Sequence, residues 1–404
     1  MRVAVFHNLP SGGAQRALHG VVSHLAKVGC TVDVFTPSTA EDRFLSLTGL
    51  ARTVTVSRVR TTLGGLLRST LRYLPPVGPL NVSLADLEAS HRQLAATINR
   101  GDYDAVLVEQ DRYTMSPFIL KFLDTPHVYY CQQPHRLQER LVRTGTGQTP
   151  DGPKLRRLER LAFAYGAARL SAIDRQNAAA AGTILANSYF SRETILRAYG
   201  RSASVCYLGV DADVFRPRSE PRADYILSVG YIGPLKGYDF LVHALARIDE
   251  RRRPKLLVVA NAVDGGWQQH LVQLAADKRV TLEIRLQVSD EELVDLYNRA
   301  TLFVYAPHLE PFGLAPLEAM ACGTAVLAVR EGGLRETIRH LETGVLVDRE
   351  EGAFATAVVE LLADRERRAR LGRNAREAVT AFWTLKHAGT RLLQHLERVA
   401  GTRR

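Results

Sequence analysis

The chain has 404 residues, of which 46% are hydrophobic and 24% charged, and its formal net charge is +11. This composition indicates a globular protein and excludes a low-complexity or collagen-like chain, while the length suits two domains that each bury a core. No apolar run approaches the roughly 20 residues of a membrane-spanning helix. The apolar run after Met1 has only the length of a strand, so we expect no signal peptide.

The cysteine spacing indicates the redox compartment, and the net charge indicates the kinds of ligand that the surface attracts. Four cysteines are scattered without close pairs, at Cys30, Cys131, Cys206 and Cys322. This spacing argues against a zinc site or a disulfide framework and favours a reducing cytoplasm. A basic surface attracts anions, which could be nucleic acid, phospholipid headgroups or a sugar nucleotide. We expect no nucleic-acid binding, because the sequence has no helix-turn-helix, RNA-recognition or zinc-finger pattern.

Strands alternate with helices through the first half of the chain, which is typical of a parallel sheet covered on both faces. Strands are predicted at Val3–His7, Thr31–Thr36, Val54–Ser57, Asp104–Glu109, His127–Cys131, Gly182–Ala186 and Ser204–Tyr207. Helices are predicted at Ala14–Val28, at Leu84–Arg100 after a cap at Ser83, from Lys154 to about Ala179, and up to Tyr199 after a cap at Ser188 or Ser191.

Two segments of this half are irregular. Residues 63–74 place Arg68 and Arg72 beside leucines, a pattern that could lie on an anionic membrane surface. The alternative, which we favour, is a loop and a short helix packed on the first domain. Gly145–Pro153 is rich in turn residues and is predicted to be a loop.

A polar, proline-containing stretch at 216–222 interrupts the alternation, and we place a domain boundary there. A helix is then predicted at Tyr238–Asp249, and from about Glu350 the chain is predicted to be helical to its end. The strands of this half are predicted at Tyr225–Val229, Lys255–Ala260, Val280–Arg285, Thr301–Tyr305, Thr324–Val329 and Gly344–Val347.

Two acids, Glu310 and Glu318, bracket a turn that opens a short helix between two of these strands. Pro316 fits the first helical turn, where a missing N–H costs nothing, and Gly323 fits a left-handed helix end. Backbone N–H groups at such a start suit a phosphate, because they have no intrahelical partner and carry the positive end of the helix dipole. They belong to Gly313, Leu314 and Ala315.

The acids themselves suit a sugar. Glu318 could accept hydrogen bonds from a ribose, as an acid does in dinucleotide sites, and Glu310 would face the other end of a bound nucleotide. Taken alone, the segment fits equally well an ordinary helix start with two acids nearby.

The spacing of Glu310 and Glu318 resembles the signature of retaining glycosyltransferases of the GT-B fold, the group called family 4. Further segments match that family in order, so the resemblance runs nearly end to end. They are Val3–Arg16, Ala186–Ser188, Gly209–Asp211 with Phe215, Ser228–Gly237 and Val288–Leu293. The resemblance implies an α/β chain with two Rossmann-like, doubly wound parallel-sheet domains and a C-terminal helix that crosses back to the first domain.

The resemblance also implies how the chain divides. The expected parts are an acceptor-side domain at 1–215, a nucleotide-sugar domain at 216–381 and a returning helix at 382–404. Phe382-Trp383 resembles the crossing point. The ligand cleft would lie at the carboxyl ends of both sheets and close by a hinge motion.

Site residues follow from the same resemblance. Lys236 aligns with the family lysine that contacts the diphosphate; the alternative is a solvated lysine, although a helix start disfavours a cation. Gly12 and Gly13 would let the first domain's backbone approach the donor phosphate or the acceptor. The catalytic candidates are Glu310, Lys236 and Gln132; the donor-binding candidates are Gly12, Gly13, Gly313, Leu314, Ala315, Glu318 and Val288; the further candidates are Arg16, Tyr231 and His135.

The sequence departs from the family at two places. Many relatives have arginine after the glycine of the lysine loop, where this chain has Tyr231. Relatives often have histidine after the fifth strand, where this chain has Gln132, with His135 three residues later. Gln132 can still donate a hydrogen bond to a sugar hydroxyl or to the leaving group.

A retaining transfer builds charge on the sugar and on the leaving diphosphate, so cations and N–H dipoles are needed more than a nucleophile. We therefore expect a retaining enzyme that moves a hexose from a UDP-, GDP- or ADP-sugar to a glycan, lipid-linked or small-molecule acceptor. The alternatives left open are a GT-B sugar-nucleotide epimerase or hydrolase, and a non-catalytic sugar-nucleotide-binding partner subunit.

We expect a cytoplasmic location, with peripheral contact at the inner face of an anionic membrane as a further option. We also expect no metal or other cofactor, because no histidine or acidic cluster has metal-ligand spacing. Asp211-Ala-Asp213 has the pattern of a metal motif from a different glycosyltransferase fold, and we interpret it as structural.

Overall fold

The computed structural model describes residues 1–41, 44–60, 82–134, 157–219 and 221–401, with the backbone alone for 157–164 and 167. The predictions for residues 63–74, for Gly145–Pro153 and for His135 lie outside the described residues.

The first half of the chain forms one sheet. Its strands are β1 (Arg2–Asn8), β2 (Thr31–Pro37), β3 (Thr53–Ser57), β4 (Ala105–Asp111), β5 (His127–Tyr130), β6 (Thr183–Ala186) and β7 (Ser204–Val205). They pair in parallel in the order β3-β2-β1-β4-β5-β6-β7. The accompanying helices are α1 (Gly13–Lys27), α2 (Leu84–Arg100), α3 (Arg157–Ala179) and α4 (Tyr189–Tyr199).

Alternate residues of β1 enter two different cores. Val3 and Val5 pack in the cluster that contains the apolar residues of α1, whereas Ala4 and Phe6 pack in the cluster that contains those of α2. This burial on both faces is what a parallel sheet covered by crossover helices requires.

The second half forms a separate sheet. Its strands are β8 (Ala223–Val229), β9 (Leu256–Ala260), β10 (Leu282–Leu286), β11 (Ala300–Tyr305), β12 (Val326–Val329) and β13 (Val345–Val347). They are parallel, in the order β10-β9-β8-β11-β12-β13. The helices are α5 (Tyr238–Ala246), α6 (Gly265–Asp277), α7 (Asp290–Arg299), α8 (Leu314–Ala321) and α9 (Leu334–Thr337). The prediction of two doubly wound parallel-sheet units is confirmed.

Some predicted boundaries are wrong by a few residues, for local reasons. The helix predicted to reach Asp249 ends at Ala246, because the Asp249 side chain instead accepts a hydrogen bond from the Arg251 N–H and caps a short turn. The strand predicted to begin at Thr324 begins at Val326, since the Thr324 hydroxyl donates to a backbone carbonyl of α7.

The tail is helical as predicted, in three pieces: α10 (Glu351–Ala363), α11 (Arg365–Phe382) and α12 (Leu385–Gly401). The chain crosses back between α11 and α12. There the Val210 N–H donates to the Trp383 carbonyl over 2.8 Å, and the Leu385 N–H donates to the Val210 carbonyl over 2.9 Å. A Cβ at Gly209 would lie 2.3 Å from the Thr384 carbonyl oxygen, so only glycine permits this approach. The crossing predicted at Phe382-Trp383 is therefore confirmed.

The boundary placed at 215/216 falls in the stretch between β7 and β8, and it stays a prediction. None of the helices in the described ranges is both long and apolar enough to cross a membrane.

Candidate functional site

The start of α8 faces the glycine turn that follows β1. Gly313 caps this helix with a left-handed φ of 94°, and no described side chain caps it. A Cβ at Gly313 would lie 2.6 Å from Leu334 Cδ2, so both the backbone and the packing require glycine. Across the cleft, a Cβ at Gly13 would lie 3.5 Å from Leu314 Cδ1. The structure thus brings the predicted phosphate amides of the second sheet against the glycine turn of the first.

A lysine and a carboxylate lie beside this helix start. Lys236 Nζ is 2.8 Å from Glu310 Oε2, and it donates to the Tyr305 hydroxyl over 3.4 Å. Both partners of the ion pair are mostly buried, with 24% and 16% of their side chains exposed. Burial, with the nearby Glu310 carboxylate, raises the pKa of Tyr305, so the tyrosine stays a neutral phenol. Two of the predicted catalytic residues, Lys236 and Glu310, are thus in contact, and their chemical roles stay predictions.

Arg16 joins the two halves at the other acid. Its guanidinium donates two hydrogen bonds to Asp290, over 2.9 and 2.6 Å, and its Nε lies 3.6 Å from Glu318 Oε1. Burial alone would lower the pKa of Arg16, but the hydrogen bonds to Asp290 and the charge of Glu318 outweigh it and raise that pKa. Arg16 therefore reaches the cleft rather than solvent.

Glu318 has partners within the protein at both carboxylate oxygens. Its Oε2 accepts a hydrogen bond from the Tyr297 hydroxyl over 2.8 Å, while Oε1 faces Arg16. Burial raises the pKa of Glu318, although the charge of Arg16 and the Tyr297 hydrogen bond act in the opposite direction. A ribose at this position would share the carboxylate with Tyr297 and Arg16 or displace the arginine.

Gln132 lies at the end of β5 and points toward β4. Its Nε2 donates to Glu109 Oε2 over 3.2 Å, and its carbonyl accepts a hydrogen bond from Ser191 Oγ over 3.1 Å. Only 8% of Gln132 and 2% of Glu109 are exposed. One amide hydrogen of Gln132 is therefore engaged within the protein, and no hydrogen bond among the described residues uses the other hydrogen or the amide oxygen.

Comparison with known proteins decides the family. The model for "Glycosyltransferase Family 4" matches residues 11–214, which is half of the chain, and the model for "Glycosyl transferases group 1" matches residues 211–378. The chain belongs to glycosyltransferase family 4. The prediction from the acid spacing is thereby confirmed.

Two relatives and one solved structure resemble this family 4 chain. D-inositol 3-phosphate glycosyltransferase 2 of Catenulispora acidiphila is 34% identical over 52% of this chain and 55% of the relative. A GDP-mannose-dependent alpha-(1-6)-phosphatidylinositol monomannoside mannosyltransferase of Mycobacterium tuberculosis is 35% identical over 48% and 56%. Anabaena HepE, solved in complex with UDP and glucose, superposes with a TM-score of 0.72 at 18% identity, over 98% of this chain and all of HepE. The chain spans about half the length of the curated relatives it matches.

Sequence reasoning missed the contacts that hold the acid loop of this family 4 chain in place. Ser188 Oγ donates to the Pro311 carbonyl over 2.6 Å, directly beside Glu310. The Glu336 carboxylate accepts hydrogen bonds from Tyr189 N–H, Phe190 N–H and the Tyr207 hydroxyl, over 2.8, 2.9 and 2.9 Å. The segment Ala186–Ser188 was recognised as a family motif, but nothing in it indicated a partner in the other half.

A second set of contacts that the sequence did not predict, centred on Arg349, holds the other end of the same loop. The guanidinium of Arg349 pairs with Glu331 and donates to the carbonyls of Ala306 and Pro307. Glu331 in turn accepts a hydrogen bond from the Leu309 N–H over 3.1 Å. The loop between β11 and α8 is therefore held at both ends.

Tyr231 and Val288 are the remaining candidates among the described residues, and neither belongs to the Lys236–Glu310 ion pair. Tyr231 is 47% exposed, and its ring lies where a Cβ at Gly233 would stand, within 2.4 Å. Val288 packs against the core one residue before Ser289, the cap of α7, and so lies near the partner of Arg16. The Asp211 carboxylate accepts hydrogen bonds from the Asp213 and Val214 N–H groups, which is a turn and supports its structural interpretation.

Proposed function

We propose that the protein is a retaining glycosyltransferase that moves a hexose from a nucleoside diphosphate sugar to an acceptor hydroxyl. The observation that carries this proposal is the Lys236–Glu310 ion pair at the uncapped start of α8, opposite the turn at Gly12 and Gly13. Free helix N–H groups and a lysine are what a departing diphosphate needs, because they stabilise charge that grows in the transition state.

The proposed roles follow from the positions. Lys236 would leave Glu310 to bind the diphosphate, and the freed carboxylate would accept hydrogen bonds from the transferred sugar. The amides of Leu314 and Ala315 would bind the phosphate oxygens. We propose that no metal is required, since these groups supply the positive charge themselves.

We propose a UDP-, GDP- or ADP-sugar as the donor and a glycan or lipid-linked acceptor. Supporting this, one relative is named for its use of GDP-mannose and HepE was solved with UDP. The basic charge of +11 supports contact with anionic headgroups if the acceptor is a lipid. A cytoplasmic location is part of the same proposal, since the four cysteines have no disulfide-like spacing.

The test is a thermal-shift screen of UDP-glucose, GDP-mannose, ADP-glucose and the free diphosphates, followed by calorimetry and by turnover with an acceptor panel. A ligand raises stability according to its affinity. We expect one nucleotide series to bind and Lys236→Met to lower turnover at least about 100-fold. The matched control is Lys278→Met, since Lys278 is exposed at the end of α6.

Three results would contradict the proposal. If no nucleotide or nucleotide sugar binds, the assignment of a donor site at the start of α8 is wrong. Release of the sugar to water at the full rate without an acceptor would indicate a hydrolase. Tight binding without turnover across the acceptor panel would indicate a non-catalytic subunit.

A further inference from the structure

A buried carboxyl group lies beside Gln132 at the edge of the first sheet. Val108 of β4 pairs with Tyr129 of β5, which places Glu109 opposite Tyr130, the last residue of β5, and Gln132 follows two residues later. β1 ends at the same edge, where Asn8 pairs with Asp111, and the glycine turn follows directly. Glu109 therefore belongs to the side of the first sheet that faces the proposed donor.

The strand pattern also fixes the face on which it lies. Leu107 and Tyr130 belong to the core cluster that contains the residues of α1. Because side chains alternate along a strand, Glu109 lies on this same face, and the Gln132 amide reaches it there. It is the face from which α1 carries Arg16 into the cleft.

The surroundings of Glu109 give it a hydrogen bond but no counter-ion. Among the hydrogen bonds and ion pairs of the described residues, none joins a cation to Glu109, and the Gln132 amide is its side-chain partner. The titratable groups that sense its charge are Tyr130, Cys131 and Cys206. Burial raises the pKa of all three, to about 12 for Cys206, so each stays neutral. His7 follows the Phe6–Val108 pair on the neighbouring strand β1, and burial lowers its pKa to about 4, so it is neutral as well. The charge of Arg391 acts to lower the pKa of Tyr130 and of Cys206. Its hydrogen bonds, however, go to the backbone carbonyls of Tyr207 and Phe382 rather than to Glu109.

A carboxyl in such a place keeps its proton. Burial raises the pKa of Glu109 to about 8, against the hydrogen bonds from Gln132 and the Gln110 N–H. Burying an ionised carboxylate without a counter-ion costs much free energy, whereas burying a neutral, hydrogen-bonded carboxyl costs far less.

We propose that Glu109 is a positioning residue that acts as a neutral carboxyl, holding the Gln132 amide for the transfer and adding no negative charge of its own beside the donor. This inference rests on the proposed function. Loss of the proton would place a negative charge at the edge that must receive an anionic diphosphate. Repulsion between like charges in a poorly solvated site weakens binding. Donor affinity should then fall as Glu109 ionises.

The test compares wild type with Glu109→Gln, which has nearly the same shape and cannot ionise. UDP-glucose and GDP-mannose are the probes, and calorimetry gives each protein's own ratio of affinity at pH 6.5 to affinity at pH 9. Ionisation of the donor itself, at the N–H of its base, affects both proteins alike. We expect the ratio to be roughly tenfold larger for wild type, which is the penalty for restoring one proton at about one pH unit above the pKa. Glu88→Gln, which removes a partly exposed carboxyl of α2 that pairs with Lys121, should keep the wild-type ratio.

A measurement on wild type alone covers the case in which the variant does not fold. Calorimetry at pH 8.5 in buffers with different ionisation enthalpies should show that the protein takes up protons at Glu109 when the donor binds. Equal affinity ratios in wild type and Glu109→Gln, or binding at pH 8.5 without proton uptake, would overturn this inference alone. A wild type that binds neither probe at pH 6.5 would overturn both this inference and the proposed function.

Discussion

Arg16 on α1 donates two hydrogen bonds to Asp290 at the start of α7, and so ties the two sheets together across the proposed cleft. The pair is planar and two-pronged, which is the strongest form of this interaction. Its hydrogen bonds lower the pKa of Asp290. The guanidinium also faces Glu318, so one cation serves two acids of the second half. Arg16 therefore couples the acid proposed to bind the donor to the contact that connects the halves.

The first prediction concerns this cation. We expect Arg16→Gln to lower the free energy of unfolding by roughly 1–3 kcal/mol, because it leaves two carboxylates without their charged partner. Donor KM should rise more than kcat falls, since the closed arrangement is what the arginine stabilises. Urea unfolding and steady-state kinetics measure both effects. Arg92→Gln on α2 is the control, because Arg92 packs over Phe122 far from the acids. An unchanged KM would show that Arg16 has no part in donor binding.

The second prediction concerns Glu318. We expect Glu318→Gln to weaken binding of the selected nucleotide sugar at least tenfold, because the amide gives up one acceptor and the charge that the ribose would use. The Gln side chain can still accept from Tyr297, so the fold should survive. Glu318→Ala is predicted to abolish donor binding, but it also leaves the buried Tyr297 hydroxyl without its partner and should be less stable.

Calorimetry measures the affinities, and circular dichroism checks the fold. Glu342→Gln, an exposed acid paired with Arg339, is the matched control. Donor affinity equal to that of wild type in Glu318→Gln would contradict the assignment of this acid to the sugar site.

Local signals predicted much of the fold. The helix at Leu84–Arg100 has the predicted bounds because Ser83 caps it, and Gly200 and Gly323 end their segments in left-handed conformations as their sequence positions suggest. By contrast, α6 and α9 were not predicted. α9 is a four-residue helix, too short to show a periodic apolar pattern.

The residues of the candidate site likewise fall into those that local sequence patterns predicted and those that they did not. Glu310 and Lys236 belong to motifs that can be read from short stretches of sequence. Glu336 does not, because its hydrogen bonds reach Tyr189 and Phe190, 147 and 146 positions earlier in the chain. Glu109 follows an apolar stretch of β4 with no motif around it, and its unusual environment arises only when β5 pairs with β4. Contacts between distant segments depend on packing that no local pattern records.

The third prediction concerns Glu336, which connects α9 to the start of α4. Its carboxylate accepts hydrogen bonds from two N–H groups of α4, where a negative charge also suits the helix dipole. Glu336→Ala removes these and the Tyr207 contact, and we expect a larger population of open molecules and a lower kcat with little change in the fold of either half. Small-angle scattering with and without donor measures the opening. Glu377→Ala, on the exposed face of α11, is the control. A scattering curve identical to that of wild type would contradict the role of Glu336 in joining the halves.

The last prediction concerns stability and pH. Burial holds the pKa of Glu109 at about 8 in the folded protein, above its ordinary value of 4.5. Between these two values the unfolded chain has lost this proton while the folded chain keeps it, so rising pH favours unfolding, by at most about 1.4 kcal/mol per pH unit. Above pH 8 both states are ionised and the effect levels off. Urea unfolding at pH 6 and pH 8 should therefore show wild type losing roughly 2–3 kcal/mol more than Glu109→Gln over this interval. Parallel losses in the two proteins would mean that Glu109 ionises at an ordinary pH in the folded state.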